Sequence, residues 1–501
     1  MKEVVSRDNM RKSDAYTVST LASGKELMWR AGEGIYKSVA WQGRIGIVCG
    51  SGNNAGDGYA LALILKENGI ESELIITKNK FSEDGEFYFK KCIDVSIKHQ
   101  FYNSSTIFDY DIIVDCILGT GFFGEVRESE REIIEKINSS GAYVVSADIN
   151  SGLDSDTGLC DVAVRSDITV SIGTIKAGHI LAKAKDYIKK LVNLDIGISL
   201  VEKPYYLVEA GDCVHNFAKR DEFSNKGTYG CVALIGGCTE YSGAIKLANL
   251  SLSALRSGAG ISKLVTARSV AGSVMPYLLE STLCTLDDVD GSIIFNPEQL
   301  DSALKGVRAV AIGMGIGQKS DAYEIISHIL KNYEIPVIID ADGLNALSKG
   351  DMSILSRTKC KVVLTPHPKE LERLSGIATA EILSSGVGHA VSFARKYGVI
   401  VLLKGTATVV TDGEDVYLVN RGCAGMASAG SGDVLSGILL ALCAQSHASE
   451  NMISAVYSGA YLNGMAGELA QAQIGDISMI ASDTVSKIPE AIRKIRENAS
   501  F

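Results

Sequence analysis

Residues 47–65 read IVCGSGNNAGDGYALALIL, and this stretch decides the fold. Ile47 to Cys49 close a β-branched, apolar run that begins near Arg44. Gly50, Gly52 and Gly56 make a tight polar turn, and Tyr59 to Leu65 open an apolar helix. Strand, Gly-rich turn and helix in that order form the unit of a parallel sheet, because parallel neighbours need a crossover connection.

Working outward, Val- and Ile-rich runs alternate with helix-period segments along the chain. In the first part strands are expected at Arg44 to Cys49, Glu73 to Thr77, Asp111 to Ile117, Ala142 to Asp148 and Ile168 to Ile172, after one helical stretch from Ala15 to Trp41. Residues 201–230, VEKPYYLVEAGDCVHNFAKRDEFSNKGTYG, interrupt the alternation as a polar, irregular segment. Strands resume at Cys231 to Ile235, Lys263 to Thr266, Ala309 to Ile312, Val337 to Asp340, Lys361 to Leu364 and Val399 to Leu403. A helix from Asp433 to Cys443 follows. The fold class is therefore α/β with two domains, 1–210 and 220–501, divided near residues 205–225. A chain of 501 residues exceeds one ordinary core.

Bulk composition narrows the function. With 49 Lys+Arg against 59 Asp+Glu the net charge is −10, which opposes sequence-independent attraction to nucleic acid or anionic membranes. The 11 Cys are scattered without CxxC pairs or zinc spacing and read as reduced thiols. No signal peptide or membrane span is legible, so a cytoplasmic protein is expected. A homo-oligomer is expected, of a size the sequence does not give.

The turn at Gly50–Gly56 lacks GxGxxG spacing and so differs from a dinucleotide fingerprint. Asp57 is expected in the first helical turn, where its carboxylate occupies the positive helix end that a pyrophosphate would need. Asn53, Asn54 and Asp57 suit hydrogen bonding to a polar ligand or oxygen coordination of a hard cation. Asp115, before the loop GTGFFGE, and Asp148, before NSGLDSDTG, stand at two further strand ends. Three carboxylates at neighbouring strand ends converge on one crevice.

In the second part, CAGMASAGSGDVLSGILLALCAQ (residues 423–445) joins a small-residue loop to an apolar helix. Its amides around Gly430 to Gly432 can bind an oxyanion. Asp433 stands at the helix start, where a simple N-terminal dipole partner is the rival reading. KGTAT (Lys404 to Thr408) and TPHPKE (Thr365 to Glu370) follow other strands. Together these supply the amides, cation and carboxylate that phosphoryl transfer needs. Walker and protein-kinase motifs are absent.

NNAGDG, VDCILGTGFFGE and ADINSGLDSDTG, with LMWRAG upstream, resemble the NAD(P)H-hydrate epimerase family over about Val5 to Ile196. The resemblance implies a Rossmann-like three-layer sandwich and K+ held by Asn54, Asp115 and Ser151. It implies that the hydrated nucleotide meets Asn53, Asn54, Ala55, Gly56 and Asp57, the loop Gly119, Thr120, Gly121, Phe122, Phe123, Gly124 and Glu125, and Asp148. Asp148 is the expected acid/base group. Lys176, in IGTIKAGHI, is a second candidate, for which a solvated or anion-contacting lysine is the plainer reading. Ala55 and Asn150 stand where the family more often has Gly and Pro, and Asn150 is expected to loosen the loop carrying Ser151.

SNKGTYG, YSGAIKLA, GMGIG and DADGLNAL, with the segments above, resemble the ribokinase-like ADP/ATP-dependent NAD(P)H-hydrate dehydratases over about Phe223 to Ala491. That implies hydrate contacts at Ala244, Gly315, His367 and Asp433, and nucleotide contacts at Lys404, Gly405, Thr406, Ala407, Thr408 and Gly432. Asp433 is the implied base. ADP with Mg2+ is the expected donor, acting on the S forms of NADHX and NADPHX and releasing AMP and phosphate. Ser431 replaces a commoner Thr and Lys369 a commoner Gly. Two other readings stand beside this one: an inactive N-terminal binding module, and a C-terminal kinase for a small alcohol.

Overall fold

The computed structural model describes residues 1–250, 253–445 and 451–497. It divides into two compact units, Lys2–Tyr205 and Tyr206–Phe501.

In the first unit a parallel sheet runs in the order Lys98–Phe101, Ser72–Ile76, Ile45–Cys49, Ile112–Cys116, Tyr143–Ala147, Ile168–Ile172, Leu191–Leu194. Alternate residues of each strand face opposite sides, and both sides are covered. Ile47 and Val114 pack with Leu27, Ile35, Leu61 and Leu65, whereas Val48 and Ile113 pack with Ile133, Ile134 and Ile137. This is a three-layer, Rossmann-like sandwich. Truncating a buried Ile such as Ile134 to Ala costs about 2–5 kcal/mol.

Strand order reverses between Ile45–Cys49 and Ile112–Cys116, since the chain fills one side of Ile45–Cys49 before crossing to the other. That switch point opens a crevice at the strands' C-terminal ends. Gly50 makes the crossing possible. A Cβ there would lie 1.9 Å from the Ile117 carbonyl oxygen.

The single helix expected from Ala15 to Trp41 is two, Arg7–Thr20 and Gly24–Ser38. Ser23 starts the second by accepting a hydrogen bond from the Glu26 amide at 3.2 Å, a cap that ends continuity with the first.

The second unit contains a sheet ordered Thr282–Leu286, Ile261–Ala267, Cys231–Ile235, Ala309–Ile312, Val337–Ile339, Val362–Leu364, Ile400–Leu403, all parallel. Antiparallel Thr408–Thr411 and Val416–Val419 follow. Val416–Val419 in turn pairs with Tyr205–Leu207, a strand inside the segment expected to be irregular. The helix Ser431–Cys443 is buried from Val434 through Cys443, as an all-apolar helix must be. Among the described residues no helix is long and apolar enough to cross a membrane.

Candidate functional site

At the switch point of the first unit lies a cavity of about 670 Å3. Its lining includes Asn53, Asn54, Asp57, the Gly119–Phe122 loop, Asp148 and Lys176. Gly52 is the N-cap of the helix Asn53–Glu67, and no side chain caps the amides there. Asp57 is not in the first turn as expected but one turn further on. The positive helix end is therefore left open to a ligand anion. Burial pushes the Asp57 carboxyl well above the usual carboxylate range, and the Asp148 charge adds to the shift.

Asp148 occupies the left-handed region at φ 64°, a place that Asp adopts more readily than most non-glycine residues. Two neighbours hold it there. Lys176, 1% exposed and thus far from the solvated lysine expected, ion-pairs with the Asp148 carboxylate and also donates to the Ile172 carbonyl at 2.6 Å. His179 receives the Lys176 amide on Nδ1 at 3.1 Å and places Nε2 2.8 Å from the Asp148 carbonyl oxygen. Burial, with the Lys176 charge, lowers His179 to about 3. It is neutral, and with Nδ1 accepting, Nε2–H donates.

Asp115 does not line the cavity as the sequence suggested. It is wholly buried, and its carboxylate accepts from the Ser151 hydroxyl and amide, the Ser146 hydroxyl and the Ile117 amide. Burial raises its pKa while the Ser151 bonds oppose the rise. The Ser151 hydroxyl also accepts the Leu118 amide at 2.8 Å. Beside this knot Asn54 donates to the Leu118 carbonyl at 2.9 Å, whereas its own Oδ1 is buried with no hydrogen-bond partner among the described residues. An orphaned amide oxygen next to hydroxyl, carboxylate and carbonyl oxygens fits an alkali cation.

Asn150 does not loosen the Ser151 loop. It is fully buried, donates to the Val164 and Tyr187 carbonyls and to Ser166, and accepts from Thr169. Side-chain hydrogen bonds supply the rigidity that a proline ring would give. Ala55 lies within the helix Asn53–Glu67 and away from positive φ, so its methyl is tolerated. Phe123, Gly124 and Glu125 are exposed, and with Ala55 and Gly56 they lie outside the cavity lining. Phe123 faces the adjoining cavity with Arg7 and Arg11.

In the second unit Gly430, at φ 94°, ends the small-residue loop and starts the helix Ser431–Cys443 without a side-chain cap. Asp433 lies in the first turn of this helix, where a carboxylate can serve as a dipole partner, and it makes no capping hydrogen bond among the described residues. Behind Gly432, Lys404 lies 2.9 Å from Asp340 Oδ1 and 3.6 Å from Glu370. A Cβ at Gly432 would come within 3.6 Å of Lys404 Nζ and 3.7 Å of Asp340 Oδ2. Burial works to raise Asp340, but the Lys404 ammonium, with hydrogen bonds from Ser436 and Thr365, holds it below the usual range. Asp433 goes the other way, to about 7, pushed by burial and then by the Asp340 charge.

Gly315, at φ 61°, leaves no room for a side chain against Tyr241 and Ala244, so the two expected hydrate contacts adjoin. His367 caps the helix Pro368–Ser375, its Nδ1 accepting the Glu370 amide at 3.3 Å. Lys404 to Thr408 form the turn from Ile400–Leu403 into Thr408–Thr411. Lys369 is exposed, and nothing in the structure explains it.

A family model described as NAD(P)H-hydrate dehydratase matches residues 232–490, and one described as YjeF-related protein N-terminus matches residues 24–178. The bifunctional NAD(P)H-hydrate repair enzyme of Moorella thermoacetica is 32% identical over 94% of this chain and 93% of its own. That of Escherichia coli is 31% identical over 98% and 95%. The chain belongs to the bifunctional NAD(P)H-hydrate repair enzymes. A crystal structure of the ADP/ATP-dependent NAD(P)H-hydrate dehydratase of Bacillus subtilis, co-crystallised with ATP and Mg2+, is 28% identical with a TM-score of 0.50. It covers 58% of this chain and 99% of that one.

The geometry adds four residues that the sequence reading did not single out. Asp340 and Glu370 flank Lys404, Ser436 donates to Asp340 at 2.7 Å, and Asp14 lines the first cavity. Strand-end position could have flagged Asp340. Asp14 sits within a helix, where a lone carboxylate carries no motif.

Proposed function

We propose that the chain returns hydrated NADH and NADPH to use in two steps, with residues 1–210 interconverting the R and S hydrates and residues 220–501 dehydrating the S form. The observation that carries the second step is Asp433. It is a carboxyl without a hydrogen bond or ion pair among the described residues, pushed to about 7 by burial, at an uncapped helix N-terminus beside the Lys404–Asp340 pair.

Asp433 takes the proton of the ring hydroxyl, and that oxygen forms a bond to the terminal phosphorus of ADP as AMP leaves. Loss of phosphate, with a proton from the neighbouring ring carbon, restores the double bond. Amides at Gly430–Gly432 and the Lys404 ammonium steady the moving phosphoryl group. Ala244, Gly315 and His367 bound the hydrate, and Lys404–Thr408 with Gly432 the nucleotide. Mg2+ bound with the nucleotide would neutralise phosphate charge. In the first unit Asn54, Asp115 and Ser151 would hold K+, which would supply a fixed positive charge there. Asp148 serves as acid/base there, poised by Lys176.

NADHX of mixed epimers, incubated with the chain, ADP, Mg2+ and K+, should yield NADH absorbance with AMP and phosphate in equal amounts. A phosphorylated product that accumulates without NADH would instead mark a small-alcohol kinase. ADP should serve better than ATP. An equal or higher rate with ATP at the same concentration overturns that preference.

A further inference from the structure

Asp14 lies outside every motif of the first unit, yet it projects into the same cavity as Asp148 and Lys176. Met10, Asp14 and Val18 line that cavity from the helix Arg7–Thr20. A spacing of four residues puts them on one helix face. The one polar member of that stripe makes no hydrogen bond or ion pair among the described residues, whereas Asp148 is tied to Lys176. Asp14 also lines the adjoining cavity with Asn53, Thr120 and Gly121, so it stands where the two cavities meet.

The hydrate carries its hydroxyl on the carbon beside the ring nitrogen, and inverting that centre needs an acid on one face and a base on the other. We propose that Asp14 and Asp148 are this pair, reaching the ring from the helix Arg7–Thr20 and from the end of the strand Tyr143–Ala147; the proposal rests on the epimerase reading above. Protonated Asp14 gives its proton to the hydroxyl, the C–O bond breaks, and water leaves as the nitrogen lone pair forms a C=N bond. A water on the opposite face then forms the new C–O bond and gives a proton to Asp148, while the C=N pair returns to nitrogen. The net change is inversion with one proton moved from Asp14 to Asp148, and solvent resets it. The reverse reaction exchanges the two roles.

The carboxyl is suited to the part, since burial, with the Asp148 charge, pushes Asp14 to about 6 against the pull of Lys176. Other charged groups lining the two cavities with it are Asp57 and Asp84 in the main one and Arg7, Asp8, Arg11 and Asp156 in the adjoining one.

The test is Asp14→Asn in the full chain, with R-to-S conversion and ADP-dependent dehydration of the S epimer followed separately in water enriched in oxygen-18. The expected result is a fall in epimerisation kcat of about a hundredfold or more, with KM within about threefold and dehydration unchanged. The wild-type pH limb near 6 should disappear, and Asp14→Glu should recover part of the rate. Wild-type epimerisation should place oxygen-18 in the product hydroxyl. Normal epimerisation kcat and pH profile in Asp14→Asn overturn the proposal, as does inversion without oxygen-18 uptake. A wild-type chain that leaves the R epimer unconverted overturns the epimerase reading and this proposal with it.

Discussion

Lys404 and Asp340 form a buried ion pair at 2.9 Å, and Asp433, their neighbour across Gly432, has no ion-pair partner among the described residues. The cation pairs with Asp340 and Glu370, and its pull on Asp433 is outweighed by burial and then by the Asp340 charge, which leave Asp433 near neutrality at about 7. A base with that value is matched to neutral pH, the condition for efficient proton transfer. The pair itself is structural as well as functional. Removing Lys404 alone would leave Asp340 buried and uncompensated, a loss of about 3–5 kcal/mol.

Asp433→Asn should lower ADP-dependent dehydration by about a hundredfold to ten-thousandfold, measured as NADH recovered from the S epimer. The same variant should be more stable than the wild type at pH 8, by on the order of 1–3 kcal/mol. The sign follows from the raised pKa: ionising Asp433 costs the folded state progressively above the unfolded carboxylate value, and the cost is complete above about 7. Thermal unfolding at pH 5 and pH 8 checks it, since the gain should shrink at the lower pH.

Dehydration kcat/KM should climb with pH and level off above about 7, because the reacting form is the carboxylate. A profile flat from pH 5.5 to 8.5 would exclude Asp433 as the base.

Asp148→Asn should remove epimerisation and leave dehydration alone. S-NADHX would still be repaired at the wild-type rate, and the R form would be consumed only as fast as it epimerises unaided. Chromatography of the two epimers during turnover reads this directly.

Asn54→Ala should weaken K+ binding, since it removes the orphaned Oδ1, and Asp115→Ala should weaken it further by releasing Ser151. Isotope binding or anomalous scattering near Asp115 is the measurement. No alkali ion there would refute the assignment.

Asn150→Ala strips partners from buried groups of the Ser151 loop and should cost about 1–3 kcal/mol. Asn150→Pro should fare no better, because Ser166 and the Val164 carbonyl would lose their donor. Chemical denaturation of the two variants beside the wild type gives the comparison.

Much of this architecture is legible before any coordinates. The strands Cys231–Ile235 and Ala309–Ile312 have the bounds their apolar runs suggest, because a strand covered on both faces is written as an unbroken apolar run. Edge and connecting elements are not written that way. Lys98–Phe101 and Leu191–Leu194 lie at the sheet's margins and are half or fully exposed, so their sequences carry polar residues and no run. Motifs likewise pointed to Asp433 and Asp148, but not to their condition. That Lys176 is buried against Asp148, that Asp115 braces Ser151 from below, and that Asp57 sits a turn inside its helix are matters of packing between segments far apart in the chain. Local pattern does not encode them.

The central claim is that this chain holds two active sites whose chemistry can be separated. It is tested most directly by giving Asp433→Asn a mixture of R- and S-NADHX with ADP, Mg2+ and K+, and following both epimers and NADH together. The account predicts that R and S go on interconverting at the wild-type rate while NADH stays at the level of a reaction without enzyme. Near-normal NADH recovery by that variant would contradict it, leaving Asp433 an ordinary helix-start carboxylate and the proposed phosphoryl transfer without its base.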